Sequence, residues 1–405
     1  MNNMIKKVLL VILCILLFAE LGFLGILHAR SHVDEELLAS AGKKPVHSAP
    51  GQSGNASEDG TTVPVTETPT EEPTEEPTEP PTEAPTEPPK TSYLFSFAGD
   101  CTLGSNRDKW NAGYSFIQTI GEDYDYPFAN VREYFEQDDF TLVNLEVVLA
   151  DEGNSTGKLF TFRGPTAYSN ILTGSSVEGV TLANNHSRDY GTAGYDSTKL
   201  TLDNAGVSYV EAYTSTLITL EDGLVVGLYA IDGSVAGIEK DRAVEGVKQL
   251  KEDGAELIIV AAHWGNEGKY RPNATQQDVG KALIDAGANI IWGHHPHVLQ
   301  KIEEYNGGII YYSLGNFSFG GNRSPRDMDS AIIQQEIIRN PDGTVTLGEM
   351  TLIPCSISSE EKFNNYQPTP CEPGSEMYDR ILSKLDGSFK GADLVVDYSG
   401  LTGSE

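Results

Sequence analysis

One ten-residue stretch constrains the fold more than any other, because it joins a buried strand to three histidines. Residues 289–298 begin with an apolar run that ends at Gly293, and His294, His295 and His297 follow. A strand that runs into a loop lets polar side chains converge on a site. Neutral imidazole is the commonest metal-binding side chain, so the pattern favours a metal site over a surface loop that happens to hold histidine.

Other apolar runs also end on polar side chains, and five of the eight histidines lie at only three such places. The residues that follow predicted strands are Asp100, Glu146, Asn185, His186, His263 and Glu267. In α/β sheets, ligands bind beyond the carboxyl ends of the strands, so distant residues can meet in one cleft. Carboxylate, carboxamide and imidazole ligands suit one or two divalent ions such as manganese, zinc or iron. One acidic residue between two ions would make the site binuclear.

The order of the predicted elements indicates a mixed α/β fold. Strands at residues 93–98, 140–145, 179–183 and 257–262 alternate with helices at 193–205, 242–253 and 275–286. Hairpins are predicted within residues 216–231, 299–313 and 331–353, and a further helix at 377–385. This succession predicts a sheet or a pair of sheets covered by helices. We assign residues 92–355 to this domain and 356–405 to a C-terminal extension of unassigned role.

The chain begins with a candidate membrane segment. Residues 8–27 are apolar except for Glu20, Lys6 and Lys7 precede them, and we assign residues 8–28 to this segment. The length suits a bilayer core, and the lysines favour residues 1–7 in the cytoplasm with the remainder outside. The rival interpretation is a cleaved signal, but no small-x-small cleavage site follows, so we favour a single-pass cell-membrane anchor.

Residues 29–91 lack apolar periodicity and repeat Pro, Thr and Glu, which predicts a disordered stalk that holds the domain away from the membrane. The net charge of −31 argues against a nucleic-acid partner, which requires clustered Lys and Arg. Cys355 and Cys371 flank a polar loop on the predicted outer side of the membrane, where a disulfide between them is expected.

Six ordered motifs resemble the CapA/PgsA capsule-synthesis family of poly-γ-glutamate biosynthesis. They are Gly99-Asp100, Asn144-Leu145-Glu146, residues 183–191 (ANNHSRDYG), 263–267 (HWGNE), 293–297 (GHHPH) and 313–317 (SLGNF). This family is similar to the calcineurin-like metallophosphoesterases, which implies a sandwich of two mixed sheets flanked by helices. It also implies a membrane-attached, outward-facing member of a polymer synthesis and export complex at the bacterial cell surface.

The resemblance further implies metal-binding roles. Asp100 and His297 would serve one ion, Glu146 would stand between two, and the second ion would be held by three residues: Asn185, His263 and His295. His186 would be the general acid. Thr102 stands where the superfamily has a histidine, so the first ion would lose an imidazole, and a single-metal site is also compatible with the sequence.

Five further residues are predicted to contact substrate or to support the ligands: Arg163, Asp189, Glu267, His294 and Asn316. Two function classes stay open. The domain is either a metal-dependent hydrolase or transferase, acting on a phosphate ester or on an amide of the polymer, or a non-catalytic subunit that binds a growing acidic polymer. A secreted phosphoesterase or amide hydrolase unrelated to capsule is a third alternative.

Overall fold

The structure, a computed structural model, describes residues 91–234 and 236–398. The predicted membrane segment lies outside these ranges, as do residues 1–7 and, apart from Thr91, the predicted stalk. Within the described ranges, no helix has both the length and the apolar character needed to cross a membrane.

The larger of two main sheets has eight strands. In spatial order it contains β17 (Thr369–Pro370), β16 (Val345–Ser356), β15 (Asp329–Arg339), β1 (Ser92–Thr102), β3 (Phe140–Leu145), β6 (Gly179–Thr181) and β7 (Ser208–Val210). β14 (Asn316–Phe319) pairs in parallel with the end of β1. β1, β3, β6 and β7 are mutually parallel, whereas β15 to β17 are antiparallel.

The second main sheet has six strands. Its order is β12 (Ile302–Tyr305), β13 (Gly308–Tyr311), β11 (Ile290–His294), β10 (Leu257–His263), β9 (Val225–Asp232) and β8 (Ser215–Thr219). The four central strands are parallel and the two edge strands are antiparallel. A small third sheet contains β2 (Ser105–Asn106), β5 (Phe162–Gly164) and β4 (Val148–Leu149).

Seven α-helices lie among the described residues. They are α1 (Phe116–Ile120), α2 (Arg132–Phe135), α3 (Ser169–Thr173), α4 (Gly191–Ala205), α5 (Lys240–Glu252), α6 (Ala274–Ala286) and α7 (Glu376–Leu385). α4 and α6 end on the left-handed residues Gly206 and Gly287, and α6 begins with a capping box between Asn273 and Gln276. These helix ends therefore satisfy backbone groups that the helices leave unpaired.

The two main sheets pack face to face around one apolar cluster, here called the inter-sheet core. It joins residues of the larger sheet, such as Phe97 and Leu142, to residues of the smaller one, such as Leu228, Ile259 and Trp292. A second cluster lies between the smaller sheet and helices α5 and α6, and a third covers the outer face of the larger sheet. The mixed α/β class predicted from the sequence is therefore confirmed, and the two sheets form a sandwich with helices outside.

The predicted disulfide between Cys355 and Cys371 is wrong in this structure, where both thiols are free. Cys355 is fully buried in the cluster on the outer face of the larger sheet. Cys371 instead packs against a different cluster, formed around Leu299 and Ile381. The two side chains thus pack in different clusters, although Cys371 directly follows β17, the strand that pairs with β16.

Candidate metal centre

Two histidines, His263 and His294, lie on the inner face of the smaller sheet because side chains alternate along a strand. Alternate residues of β10 face the inter-sheet core: Leu257, Ile259 and Ala261. His263 is the next member of that series, and His294 is the next member after Ile290 and Trp292 of β11. Because side chains alternate across a strand, both imidazoles continue the inner face of the smaller sheet at its carboxyl end.

Asp100 reaches the same face through a bulge in β1. Phe97 pairs with Leu142 and Asp100 with Asn144, so three residues of β1 span the distance of two on β3. The extra residue reverses the alternation and turns Asp100 inward. Gly99 makes the bulge possible, since a Cβ at that position would lie 2.1 Å from the carbonyl oxygen of Gly315. Asp100 therefore lies inside the strand, not on a loop after it as the sequence suggested.

Asp100 is fully buried and holds several groups in place. Its carboxylate accepts a hydrogen bond from Asn144 Nδ2 at 2.8 Å and contacts His294 Nδ1 at 3.0 Å. It also lies 3.3 Å from His297 Nδ1 and accepts from the backbone N–H of His295 at 3.4 Å. One carboxylate thus organises the whole 294–297 loop, in which His295 and His297 have positive φ values of 94° and 55°.

Glu146 is also fully buried, yet neither of its carboxylate oxygens has a hydrogen-bond partner among the described residues. His263 Nε2 lies 3.6 Å from Oε1. Oxygen and nitrogen atoms of Asp100, Glu146 and His297 all lie within 4.8 Å of one another, a spacing that could hold a metal ion. A buried carboxylate without a partner is costly, which makes Glu146 the group that most requires a cation.

Asn185, His263 and His295 lie beside this group. Asn185 Oδ1 contacts His263 Nε2 at 2.7 Å, and the rings of His263 and His295 are 4.8 Å apart. A second possible metal group contains Glu267, His295 and His297, again with atoms within 4.8 Å of one another. The six predicted metal ligands therefore lie in one cluster.

Burial and neighbouring charges shift the pKa values of three residues in the cluster: Asp100, Glu146 and His297. Burial alone would raise the pKa of Asp100, but hydrogen bonds from His294 and His297 hold that pKa well below its usual range. Burial raises the pKa of Glu146 well above its usual range, and the charge of Asp100 adds to the rise. Burial would lower the pKa of His297, but the charges of Glu146 and Asp100 raise it to about 10. The two carboxylates thus favour positive charge at this point of the cluster.

The other two imidazoles of the cluster are held neutral. Burial, and after it the positive charge of His297, lower the pKa of His295 to about 4. Burial also lowers the pKa of His263 well below its usual range, with the charge of His295 as the next cause. A neutral imidazole has a free nitrogen lone pair, which is the form that binds a metal.

His186 is oriented by a buried carboxylate. Its Nδ1 lies 2.7 Å from Asp189 Oδ2, and its ring packs against Phe162 with centroids 4.6 Å apart. Asp189 is fully buried and also accepts from the backbone N–H of Phe162 at 2.8 Å and from Lys158 Nζ at 3.2 Å. This pairing fixes the tautomer so that Nε2 of His186 is the nitrogen left to exchange a proton.

Of the five supporting residues, four contact the cluster or His186: Asp189, Glu267, His294 and Asn316. Asn316 Oδ1 lies 2.9 Å from His297 Nδ1, and His294 is fully buried against Asp100 and Trp292. Arg163 is different, because its guanidinium lines a separate cavity. Thr102 is buried and its hydroxyl has no partner among the described residues.

Sequence reasoning missed three residues that shape the centre. Asn144 and Asn184 bond to each other at 3.0 Å, and Asn144 also holds Asp100. Neither was predicted as a site residue, although both lie in motifs that resemble the capsule-synthesis family. Tyr398 donates a hydrogen bond to Glu267 from the far end of the chain, and no sequence signal indicates that contact.

Comparison with known proteins now identifies the family. The sequence profile of the bacterial capsule synthesis protein PGA_cap matches residues 94–321, more than half of the chain. The chain belongs to this bacterial capsule synthesis family. It is 31% identical over 254 residues to the capsule biosynthesis protein CapA of Bacillus anthracis, covering 56% of this chain and 61% of that protein. It is 31% identical over 270 residues to the PGA biosynthesis protein CapA of Bacillus subtilis, covering 61% of this chain and 68% of that protein. The resemblance noted in the sequence is confirmed.

The matched region spans about two thirds of the length of each of these capsule proteins, 61% of the first and 68% of the second. Solved structures give weaker similarities. The NAD nucleotidase of Haemophilus influenzae matches with a TM-score of 0.35 and 12% identity, covering 74% of this chain and 63% of that one. The purple acid phosphatase PPD1 of yellow lupin matches with a TM-score of 0.31 and 9% identity, covering 76% and 58%. Neither similarity is strong enough to carry a conclusion.

Proposed function

We propose that this chain is an extracytoplasmic, membrane-anchored member of the poly-γ-glutamate capsule system whose sandwich domain is a metal-dependent hydrolase or transferase. Membership of the capsule synthesis family supports the biological role, since related proteins are named for capsule and PGA biosynthesis. The acidic polymer is the proposed substrate, and membrane subunits of a synthesis and export complex are the proposed partners.

One observation carries the chemical part of the proposal. The carboxylate of Glu146 is buried without a hydrogen-bond partner among the described residues, and Asp100, His263 and His297 surround it. The donors fit a divalent ion such as manganese, zinc or iron, because they combine carboxylate and carboxamide oxygen with imidazole nitrogen. Asp100, Glu146 and His297 would hold one ion, and Asn185, His263 and His295 a second. Such ions supply Lewis-acid activation of water and of the bond to be broken.

The protein's own groups supply proton transfer and orientation. His186 would hold a proton at Nε2 and deliver it to the leaving group, while Asp189 keeps the ring oriented through its contact with Nδ1. Lys158 reaches the backbone carbonyl of Asn185 at 2.6 Å and Asp189 at 3.2 Å, so it holds this loop in position. Phe162 covers one face of the His186 ring and excludes water from it.

The proposal is tested on the full-length protein. Bound metal is measured by elemental analysis, and hydrolysis is assayed with oligo-γ-glutamate and with phosphodiesters. Glu146→Gln is expected to lose most of the bound metal and all activity. His186→Ala is expected to keep the metal and to lose about 100-fold or more in kcat, the usual contribution of a general acid.

The exposed substitution Glu304→Gln is the matched control and should change neither quantity. A protein that binds no divalent metal would overturn the chemical proposal. Restoration of capsule in a deletion strain by His186→Ala would show instead that the domain assists assembly without chemistry.

A further inference from the structure

A cavity of about 390 Å³, separate from the metal cluster, lies beside the third sheet and is lined by two arginines. It is lined by Arg107, Trp110, Arg163, Tyr190 and residues 153–155. None of these residues belongs to the candidate metal cluster. In a chain of net charge −31, a cavity with two guanidinium groups is a local exception that favours an anionic ligand.

The guanidinium of Arg163 is fixed by aromatic contacts, but its Nε makes no hydrogen bond within the described residues. Its guanidinium carbon lies 4.7 Å from the ring centre of Trp110 and 5.1 Å from that of Tyr190, so two aromatic rings hold it. Its Nε is buried without a hydrogen-bond partner among the described residues. Throughout the described ranges, no carboxylate lies within ion-pair distance of it. A stacked arginine with unused donors is suited to bidentate binding of a carboxylate.

Arg107 is the second arginine of the cavity wall. Its Nη1 donates to Ser155 Oγ at 2.8 Å, and its Nε pairs with Asp108 at 3.0 Å. Ser155 thereby joins the arginine to the wall formed by residues 153–155. A cavity of this size is within the range of about 300–1,000 Å³ typical of small-molecule sites, so it accommodates a whole amino-acid residue and not merely a bare anion.

The cavity is next to the proposed reaction site. Phe162 and Arg163 are neighbours on β5, and their side chains point to opposite faces: Phe162 contacts His186, and Arg163 lines the cavity. Tyr190 likewise follows Asp189, the partner of His186. The backbone N–H of Thr156 donates to the Asp189 carbonyl at 2.8 Å, which ties the cavity wall to the same loop.

We propose that this cavity binds a free carboxylate of an acidic γ-linked polypeptide, with Arg163 as the specificity-determining residue. The identity of the polymer rests on the proposed function, whereas the recognition of a carboxylate rests on the cavity itself. A repeating acidic chain carries one carboxylate per residue, so one repeat can occupy the cavity while a neighbouring amide approaches His186. The cavity would thereby select the polymer and set its register.

The test measures binding without chemistry. The full-length protein is titrated with oligo-γ-glutamate of defined length in the presence of EDTA, so metal and turnover do not contribute. Trp110 reports binding by its fluorescence, because it is half-buried in the cavity while Trp264 and Trp292 are 0% and 1% exposed. Arg163→Gln is expected to weaken binding about tenfold, and Arg163→Lys to weaken it less, since it keeps the charge but loses the bidentate geometry.

Arg242→Gln is the matched control, because Arg242 also stacks on a tyrosine, with its guanidinium carbon 4.6 Å from the ring centre of Tyr213, and lies outside the cavity. It should bind as the unchanged protein does. Neutral oligo-γ-glutamine should not bind. The proposal is overturned if Arg163→Gln and Arg163→Lys both bind normally, or if the neutral oligomer binds as well as the acidic one. Inorganic phosphate is the second probe, and Arg163-dependent binding of phosphate without binding of the oligomer would also overturn it.

The two proposals fail separately. Absence of metal or of hydrolysis overturns the proposed chemistry but leaves Arg163-dependent binding in EDTA intact. Normal binding by the Arg163 variants overturns the carboxylate cavity but leaves metal content and the effect of His186→Ala unchanged.

Discussion

At the scale of single residues, burial of the unpaired Glu146 carboxylate lowers the stability of the fold, which is expected of a group that binds a cation. A buried carboxylate without hydrogen bonds destabilises the folded protein, whether it stays charged or takes up a proton. Glu146→Met keeps the length of the side chain and removes its polar atoms. In EDTA, we expect this variant to be more stable than the unchanged protein, with a free energy of unfolding about 1–3 kcal/mol higher. Urea denaturation measures the difference.

The control for this prediction is again Glu304→Gln, which changes a carboxylate exposed on β12. It should leave the unfolding free energy unchanged. With metal added, the order should reverse, because only the unchanged protein gains stability from binding. A Glu146→Met protein that is less stable than the unchanged one in EDTA would contradict this account of Glu146.

Glu178 gives a prediction on pH. Burial raises its pKa to about 7, although it accepts a hydrogen bond from the backbone N–H of Thr141 at 2.8 Å. The folded protein therefore holds this proton more tightly than the unfolded chain does. Stability contributed by Glu178 is present below its unfolded pKa near 4.5 and is lost as the pH rises to about 7.

Glu178→Gln removes this titration while keeping an acceptor for Thr141. The variant should therefore gain in thermal midpoint relative to the unchanged protein between about pH 5 and about pH 8. Glu245→Gln, on the exposed face of α5, should show no such gain. A difference that stays constant over this pH range would mean that Glu178 does not titrate there.

The candidate ligands could be predicted because each follows an apolar run, and the ends of parallel strands meet. The residues that hold them could not. Asn144 lies within a buried strand, and the sequence alone does not show whether such a side chain supports a site or only the core. The structure does, because Asn144 donates a hydrogen bond to Asp100. Arg163 was predicted to meet substrate, yet its position in a separate cavity depends on the pairing of β5 with β2, which no periodicity indicates.

At the scale of elements, the bulge in β1 decides whether Asp100 faces the cluster. Gly99→Ala would place a Cβ 2.1 Å from the Gly315 carbonyl oxygen and 2.8 Å from that of Leu314. Both are backbone atoms and cannot move aside as a side chain could. We expect a loss of at least about 3 kcal/mol in unfolding free energy, or a shift of Asp100 with loss of metal binding. Urea denaturation and metal analysis distinguish the two.

Gly113→Ala is the matched control for Gly99→Ala, since a Cβ there would meet no atom within 4 Å. It should be close to neutral. Normal stability and normal metal content of Gly99→Ala would contradict the role of the bulge. The sequence could predict strand β1 but not this detail, because Gly-Asp after an apolar run is equally typical of a turn.

The longer elements were predicted well and the shorter ones were not. Helices α4, α5 and α6 lie within two residues of their predicted bounds, because hydrophobic spacing and glycine caps define them. The third sheet was missed because its strands have only two or three residues, too few for an alternating pattern to be detected.

At the scale of the whole molecule, the candidate metal centre joins the two main sheets. Asp100 lies on β1 and Glu146 follows β3 of the larger sheet, whereas His263 ends β10 and the other two histidines, His295 and His297, follow β11 of the smaller sheet. A bound ion would therefore stabilise the contact between the sheets. At a free metal concentration of 100 times Kd, the gain is about 2.7 kcal/mol. Calorimetry should show a higher thermal midpoint with metal than with EDTA.

The same calorimetric comparison on Glu146→Gln should show little or no shift between metal and EDTA. Because the ligands come from both sheets, the unfolding of the sandwich should remain a single transition in either condition. A metal-dependent shift that persists in Glu146→Gln would place the stabilising ion elsewhere in the protein.

The contact of Tyr398 with Glu267 has a further consequence. Tyr398 also packs against Phe160, and Leu394 donates its backbone N–H to the Gly268 carbonyl, so this segment occupies the same face as the second metal group. Its tether keeps it there at a high local concentration, independent of dilution. Any external ligand that uses Glu267 must first displace it. The affinity measured for such a ligand therefore includes the free energy needed to displace Tyr398 from Glu267. The same ligand should bind more tightly to the Tyr398→Phe variant.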